Sequence, residues 1–191
     1  MNAELFNDQL WWYVARSGGI IALALAAASV LWGLLLSTRY LEAAARPKWL
    51  LDLHRFLGGL TVIFTLIHMA ALMLDSFVSF SIADVLVPFA SSWQPGAVAW
   101  GVVAFWLLIA VQGSSMLMNR MPRKVWKWIH MSSYALLWAG AVHGIVAGTD
   151  ASNPVFLAFV GGGTGLITFL AAFRVLNPRG RKGRGQPAVA S

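Results

Sequence analysis

Cysteine is absent from the 191 residues, which removes disulfides, thiolate-held iron–sulfur clusters and the covalent attachment of c-type haem. Any haem carried by the chain is therefore held noncovalently. Charge is scarce too: 11% of residues are charged against 59% hydrophobic, and the mean hydropathy is +0.70. A soluble domain of this length needs more polar surface than that, so the sequence reads as an integral membrane protein. The start, MNAELFNDQL, lacks the positive region of a secretory signal, and the apolar run after it is too long for a signal core. It is expected to enter a retained span.

Position explains the net charge of +7. Thirteen of the fourteen Lys and Arg fall in three clusters: Arg39, Arg46, Lys48 and Arg55; Arg120, Arg123, Lys124 and Lys127; Arg174, Arg179, Arg181, Lys182 and Arg184. The clusters occupy alternate boundaries between apolar segments, so all three can face one side, which the positive-inside rule makes cytoplasmic. Five of the seven acids, Glu4, Asp8, Asp75, Asp84 and Asp150, fall in the other boundaries. Anionic lipid headgroups are the expected partner of this charge, and nucleic acid is not.

Spanning a hydrocarbon core takes about 20 apolar residues, and five segments meet that length: 11–37, 50–74, 97–119, 125–148 and 154–176. The expected architecture is an all-α integral membrane protein of five transmembrane helices in a bundle, in the plasma or inner membrane, with the N-terminus outside and the C-terminus inside. Residues 1–10 form an outer N-terminus, and 177–191 form a basic, disordered cytoplasmic tail. Trp11 and Trp12 at the outer end, and Trp49, Trp126 and Trp128 at inner ends, suit an interfacial aromatic belt. SIADVLVPFASSW, between the second and third spans, reads as a short amphipathic helix or ordered loop along the outer interface. GGGTG, Gly161 to Gly165, has neither a preceding strand nor a Lys-Ser/Thr for phosphate binding, and reads as a close-packing stripe. No internal repeat at a fixed period is visible.

Histidine occurs four times, and its placement carries the functional reading. His54 and His68 lie fourteen residues apart in the second span, and His130 and His143 thirteen apart in the fourth. At 1.5 Å per residue each pair covers roughly 20 Å, most of a core about 30 Å thick. Both spans follow basic stretches, so they run parallel. His54 then lies level with His130 near the inner face, and His68 with His143 near the outer face. Two histidines facing each other at one depth can supply both axial ligands of a haem iron. A hydrogen-bonded core role is the plainer alternative for any one of them. Zinc or copper sites usually gather three or four ligands at one depth, and neither cysteine nor an intramembrane carboxylate accompanies these histidines.

The neighbours fit a porphyrin. Gly58 and Gly59, one turn beyond His54, leave room either for a flat macrocycle or for a packed helix. Arg55, Lys124 and Lys127 are candidates to meet the propionates of an inner haem. Arg16, the one base outside the clusters, is the candidate at an outer haem, with snorkelling to the interface as its alternative. On an ideal helix the thirteen-residue step leaves His130 and His143 about 140° apart, whereas fourteen brings His54 and His68 within about 40° of one face. Either two haems attach to different sides of the fourth span, or that span is bent or locally re-wound, and Gly140 and Gly144 are the expected site of the change.

The stretches WYVARSGG, LHRFLGGLTVIFTLIH, ADVLVPFASSW and PRKVWKWIHMSSYALLWAGAVHG together resemble the ferric reductase-like transmembrane domain. This is the haem-bearing core of NADPH oxidases, ferric reductases and the haem membrane subunit of bacterial methionine sulfoxide reductase. The resemblance covers residues 11 to 176. It implies two noncovalent b-type haems with bis-histidine ligation, an inner one on His54 and His130 and an outer one on His68 and His143. Full-length NADPH oxidases and ferric reductases continue into flavin and nicotinamide domains, and many relatives have six spans. Here five spans are expected, with no flavin or nicotinamide site within the chain and no dinucleotide-binding fingerprint.

The function expected is a transmembrane cytochrome b, the electron-transfer subunit of an oxidoreductase. It would take electrons from a cytoplasmic flavin-containing reductase or from quinol and deliver them to an outer acceptor. The alternatives are a terminal reductase of ferric iron or oxygen acting at the outer haem, and a noncatalytic membrane anchor for a soluble reductase. No side chain reads as a catalytic acid, base or nucleophile.

Overall fold

A computed structural model describes residues 2–37, 48–76, 78 and 80–176. The basic tail expected over 177–191, and Arg39 and Arg46 of the first basic cluster, lie outside the described residues. Every regular element among the described residues is helical. In chain order the α-helices are α1 (Asn2–Leu36), α2 (Lys48–Leu74), the short α3 (Ile82–Leu86), α4 (Pro95–Met116), α5 (Arg123–Met131), α6 (Ser133–Ala147), α7 (Pro154–Leu157) and α8 (Gly163–Leu176). Four stretches are long and apolar enough to cross a membrane: Gln9–Leu36, Lys48–Leu74, Pro95–Met116 and Pro154–Leu176. The chain is a multi-pass membrane protein.

The packing agrees with that medium. Large apolar side chains such as Phe56, Ile63, Trp106, Phe169 and Phe173 point outward, while the interior is rich in alanine: Ala15, Ala22, Ala26, Ala71, Ala97, Ala99, Ala139 and Ala141 are all buried. Lipid tails solvate the large side chains as well as a protein core would, and small residues let the helix backbones approach. Most contact between helices falls within two antiparallel pairs, α1 with α2 and α4 with α6, and α2 touches α4 only lightly.

Polar clips fix the pairs. The Trp32 indole donates to the Leu50 carbonyl at 2.8 Å, joining α1 to α2. At the basic end, Arg174 of α8 donates to the Leu34 carbonyl at 3.1 Å and also to the Ser37 hydroxyl and carbonyl. They tie the end of α1, where the Ser37 amide and hydroxyl already turn back to the Leu34 carbonyl, to α8. At the opposite end Arg16 forms a two-point ion pair with Asp150, its Nε donating to Oδ2 at 2.8 Å. Helix α3 carries a capping box, the Ser81 hydroxyl accepting from the Asp84 amide while the Asp84 carboxylate accepts from the Ser81 amide.

Two expectations change. The fourth expected span is two helices, and its break lies at Ser132 rather than at Gly140 and Gly144. The Ser132 amide bonds back to the Ile129 carbonyl at 3.0 Å in a tightened turn, and its hydroxyl bonds to the same carbonyl at 2.6 Å. A serine side chain that competes for helix carbonyls is a recognised cause of bending, whereas Gly140 and Gly144 stay within α6. The Gly161–Gly165 run does not pack closely: a Cβ at Gly161, Gly162, Gly163 or Gly165 would meet nothing within 4 Å. The chain there widens into one π turn over Ala158–Gly162. Around the span expected from residue 11, α1 extends back to Asn2, because no helix breaker stands between Asn2 and Leu10.

Candidate functional site: two histidine pairs

The break at Ser132 bears directly on the histidines. His130 lies near the end of α5 and His143 within α6, so the tightened turn at Ser132 separates them and the angle of an uninterrupted ideal helix does not carry over. His54 and His68 share the unbroken α2. The structure brings His54 against His130, ring centres 5.9 Å apart, and His68 against His143 at 6.2 Å. The first pair lies at the basic end and the second at the opposite end.

Each ring has one nitrogen already engaged. His68 donates Nδ1–H to the Ala15 carbonyl (2.6 Å), His143 to the Ala97 carbonyl (2.9 Å) and His54 to the Ser29 carbonyl (3.1 Å). His130 Nδ1 lies 3.3 Å from the Ser115 hydroxyl. In every case the supporting residue belongs to the helix antiparallel to the histidine's own, α1 for α2 and α4 for the α5–α6 segment. An engaged Nδ1 fixes the tautomer and leaves Nε2 as the nitrogen open to a metal.

Glycines make these seats. A Cβ at Gly19 would stand 3.0 Å from His68 Nδ1, one at Gly33 3.1 Å from His54 Cε1, and one at Gly101 2.8 Å from His143 Cε1. Gly19, Gly33 and Gly101 each lie four residues beyond the carbonyl that holds the ring, one turn along the same face. The arrangement Ala15…Gly19 recurs fourteen residues on as Ser29…Gly33, in step with His68 and His54 on α2. That fourteen-residue repeat escaped the sequence reading because only the contact reveals it. The glycines singled out from the sequence behave otherwise: Gly58 faces the Gln112 side chain, where a Cβ would come within 2.9 Å of Oε1, and Gly59 faces open space.

The opposite-end pair looks into an apolar cavity with about 810 Å³ of empty volume, part of it open to the surroundings, between Ala22 and Ala26 of α1, Met69 of α2 and Phe105 of α4. Around the basic-end pair, Trp126 stacks on His130, ring centres 5.0 Å apart and planes 22° apart. Trp126, expected in the interfacial belt, thus also belongs to this site, whereas Trp49 and Trp128 are exposed.

The candidate cations are dispersed. Arg55 makes a 3.7 Å ion pair with Asp52, both side chains well exposed, and Lys124 and Lys127 are exposed on α5. Arg16, next to the Ala15 that holds His68, is engaged by Asp150 and lies over the Trp12 ring at 5.1 Å.

The model of the ferric reductase like transmembrane component family matches residues 18–141. The chain belongs to this family. The matched stretch contains His54, His68 and His130 and ends two residues before His143. No curated protein and no solved structure matches the chain. Transmembrane domains of this family generally bind haem, act in electron transfer across the membrane and work beside other redox proteins.

The residues fit such a group. Two imidazole nitrogens each about 2 Å from one metal ion, with each ring centre about 1 Å behind its nitrogen, put the ring centres roughly 6 Å apart. Both pairs meet that spacing. Among the described residues no three His, Cys, Asp or Glu side chains gather around one point. A metal held by the protein alone is thus poorly served, whereas an ion that brings four ligands of its own needs only the two histidines.

Proposed function

We propose that this chain is a b-type cytochrome with two haem sites, His54 with His130 and His68 with His143. It carries electrons from a cytoplasmic flavin-containing reductase or from quinol to an acceptor outside. The observation that carries the proposal is the spacing of the rings: two pairs, each near 6 Å, each ring held through Nδ1 with Nε2 free. We take the broken α5–α6 segment as the fifth crossing, and the basic clusters orient the bundle with the His54–His130 pair inside.

Haem, when bound, supplies the reversible one-electron change at iron. The chain's own work is to hold and insulate. Each histidine presents Nε2 in a fixed tautomer, because Nδ1 is committed to a neighbouring helix. The fourteen residues of unbroken α2 between His54 and His68 set the two sites roughly 20 Å apart in depth, which gives a transmembrane route two stations. Alanine and apolar walls keep water from the outer site and favour the less charged form of whatever is bound there. Arg55, Lys124 and Lys127 are the proposed cations for carboxylates at the inner site. Arg16, steadied by Asp150, is the proposed cation at the outer one.

The test is the absorbance spectrum of the purified protein. Low-spin b-type bands are expected, and they should vanish when His68→Ala and His130→Ala are combined. A colourless preparation that still binds a flavoprotein would instead make the chain an anchor whose histidines only pack.

A further inference from the structure

The four histidines are not held alike. His54, His68 and His143 donate to main-chain carbonyls at 3.1, 2.6 and 2.9 Å, acceptors that no side-chain substitution removes. His130 has a side-chain acceptor instead, the Ser115 hydroxyl at 3.3 Å. The hydroxyl hydrogen of Ser115 is directed to the Val111 carbonyl at 2.7 Å, so toward the imidazole its oxygen acts as acceptor and His130 carries its proton on Nδ1. The Trp126 indole stacks on the same ring, which steadies the ring plane and does not select a tautomer.

We propose that Ser115 is the positioning residue that fixes the tautomer and donor strength of His130, and thereby sets the redox potential of the inner centre independently of the outer one. The proposal rests on the reading of His54 and His130 as ligands of one iron. A hydrogen bond accepted from Nδ1–H pushes electron density toward Nε2, and a more basic ligand favours ferric over ferrous iron. Loss of the Ser115 oxygen therefore raises the inner potential. The protein contains its own control. The Ser29 hydroxyl lies 3.4 Å from His54 Nδ1, almost the same separation as Ser115 from His130, but the Ser29 carbonyl still accepts from His54 after the hydroxyl is gone.

The experiment is a potentiometric titration of the full-length protein, following the b-type absorbance in the wild type, Ser115→Ala, Ser115→Thr and Ser29→Ala. The step missing in His130→Ala identifies the inner centre. Ser115→Ala is expected to move that step to higher potential and leave the outer step in place. Ser115→Thr, which keeps the hydroxyl, should return it to the wild-type position, and Ser29→Ala should move neither. Ser115→Cys, close in size with a poor acceptor, is expected to shift the inner step in the same direction and serves if the alanine variant does not accumulate. An inner step unmoved in both Ser115→Ala and Ser115→Cys overturns the proposal, as does an equal shift in Ser29→Ala. Two b-type steps that both persist in His130→Ala overturn the ligand assignment itself, a result distinct from an unmoved potential.

Discussion

The two histidine pairs answer the same geometric demand with different materials. At the outer pair both rings lean on main-chain carbonyls, Ala15 and Ala97, and both are backed by glycines, Gly19 and Gly101. At the inner pair only His54 has such a seat. His130, two residues before the interruption at Ser132, rests on the Ser115 hydroxyl and the Trp126 indole. A seat made of backbone is as rigid as the helix that carries it and can be altered only by adding bulk. A seat made of side chains can be adjusted one atom at a time. On the proposed reading, the Ala15–Ala97 seats make the one site constant and the Ser115 seat makes the other tunable.

The largest effect expected from disturbing this contrast is loss of one whole centre. His68→Ala or His143→Ala should remove the outer centre and spare the inner one, read as a halving of haem bound per chain. Filling a seat comes next. Gly101→Ala, where the added methyl would stand 2.8 Å from the His143 ring, should weaken haem retention at the outer site about 10- to 100-fold, as displaced metal-ligand supports commonly do. Gly33→Ala should act on the inner site alone, and Gly161→Ala, facing open space, should leave both sites intact. Equal losses from Gly101→Ala and Gly161→Ala would contradict the seat argument.

A smaller effect is expected at Arg16 and Asp150. Their partly exposed ion pair is worth about 0–1 kcal/mol of stability, but the two charges should act on the outer potential in opposite directions. Arg16→Ala removes a positive charge and lowers it, and Asp150→Asn removes a negative charge and raises it. Stability changes without either shift would make the pair a staple only. The smallest effect belongs to α3. Hydrogen bonds from the Ser81 side chain and amide hold the Asp84 carboxyl below the usual carboxylate range. Their contribution is therefore complete above the pKa of the free carboxyl and is lost as pH falls through the lower folded value. Proteolysis of the 81–94 loop should accelerate on acidification, and Asp84→Asn should remove that dependence.

How much of this the sequence discloses follows the reach of each signal. Rise along a helix is nearly invariant, so fourteen and thirteen residues were enough to match His54 with His130 and His68 with His143 by depth. Rotation is not invariant, because one serine can interrupt a helix: glycine marks Gly140 and Gly144 as the weak point, but the competing hydrogen bonds lie at Ser132. Glycines mislead for a related reason. A run such as Gly161–Gly165 catches the eye, yet the glycines that matter, Gly19, Gly33 and Gly101, stand singly among apolar residues. Their role appears only when the facing histidine is in place. Trp126 likewise carries no mark that separates it from the exposed Trp128.

The central claim, two bis-histidine sites stacked through one bundle, is tested most directly by the haem-to-protein ratio of the purified chain and of its four single His→Ala variants, with low-temperature electron paramagnetic resonance on each. Two haems per chain are expected in the wild type and one in every variant. The same low-spin signal should disappear in His54→Ala and His130→Ala, and the other in His68→Ala and His143→Ala. A single haem in the wild type, or signals that vanish in any other pairing, would contradict it.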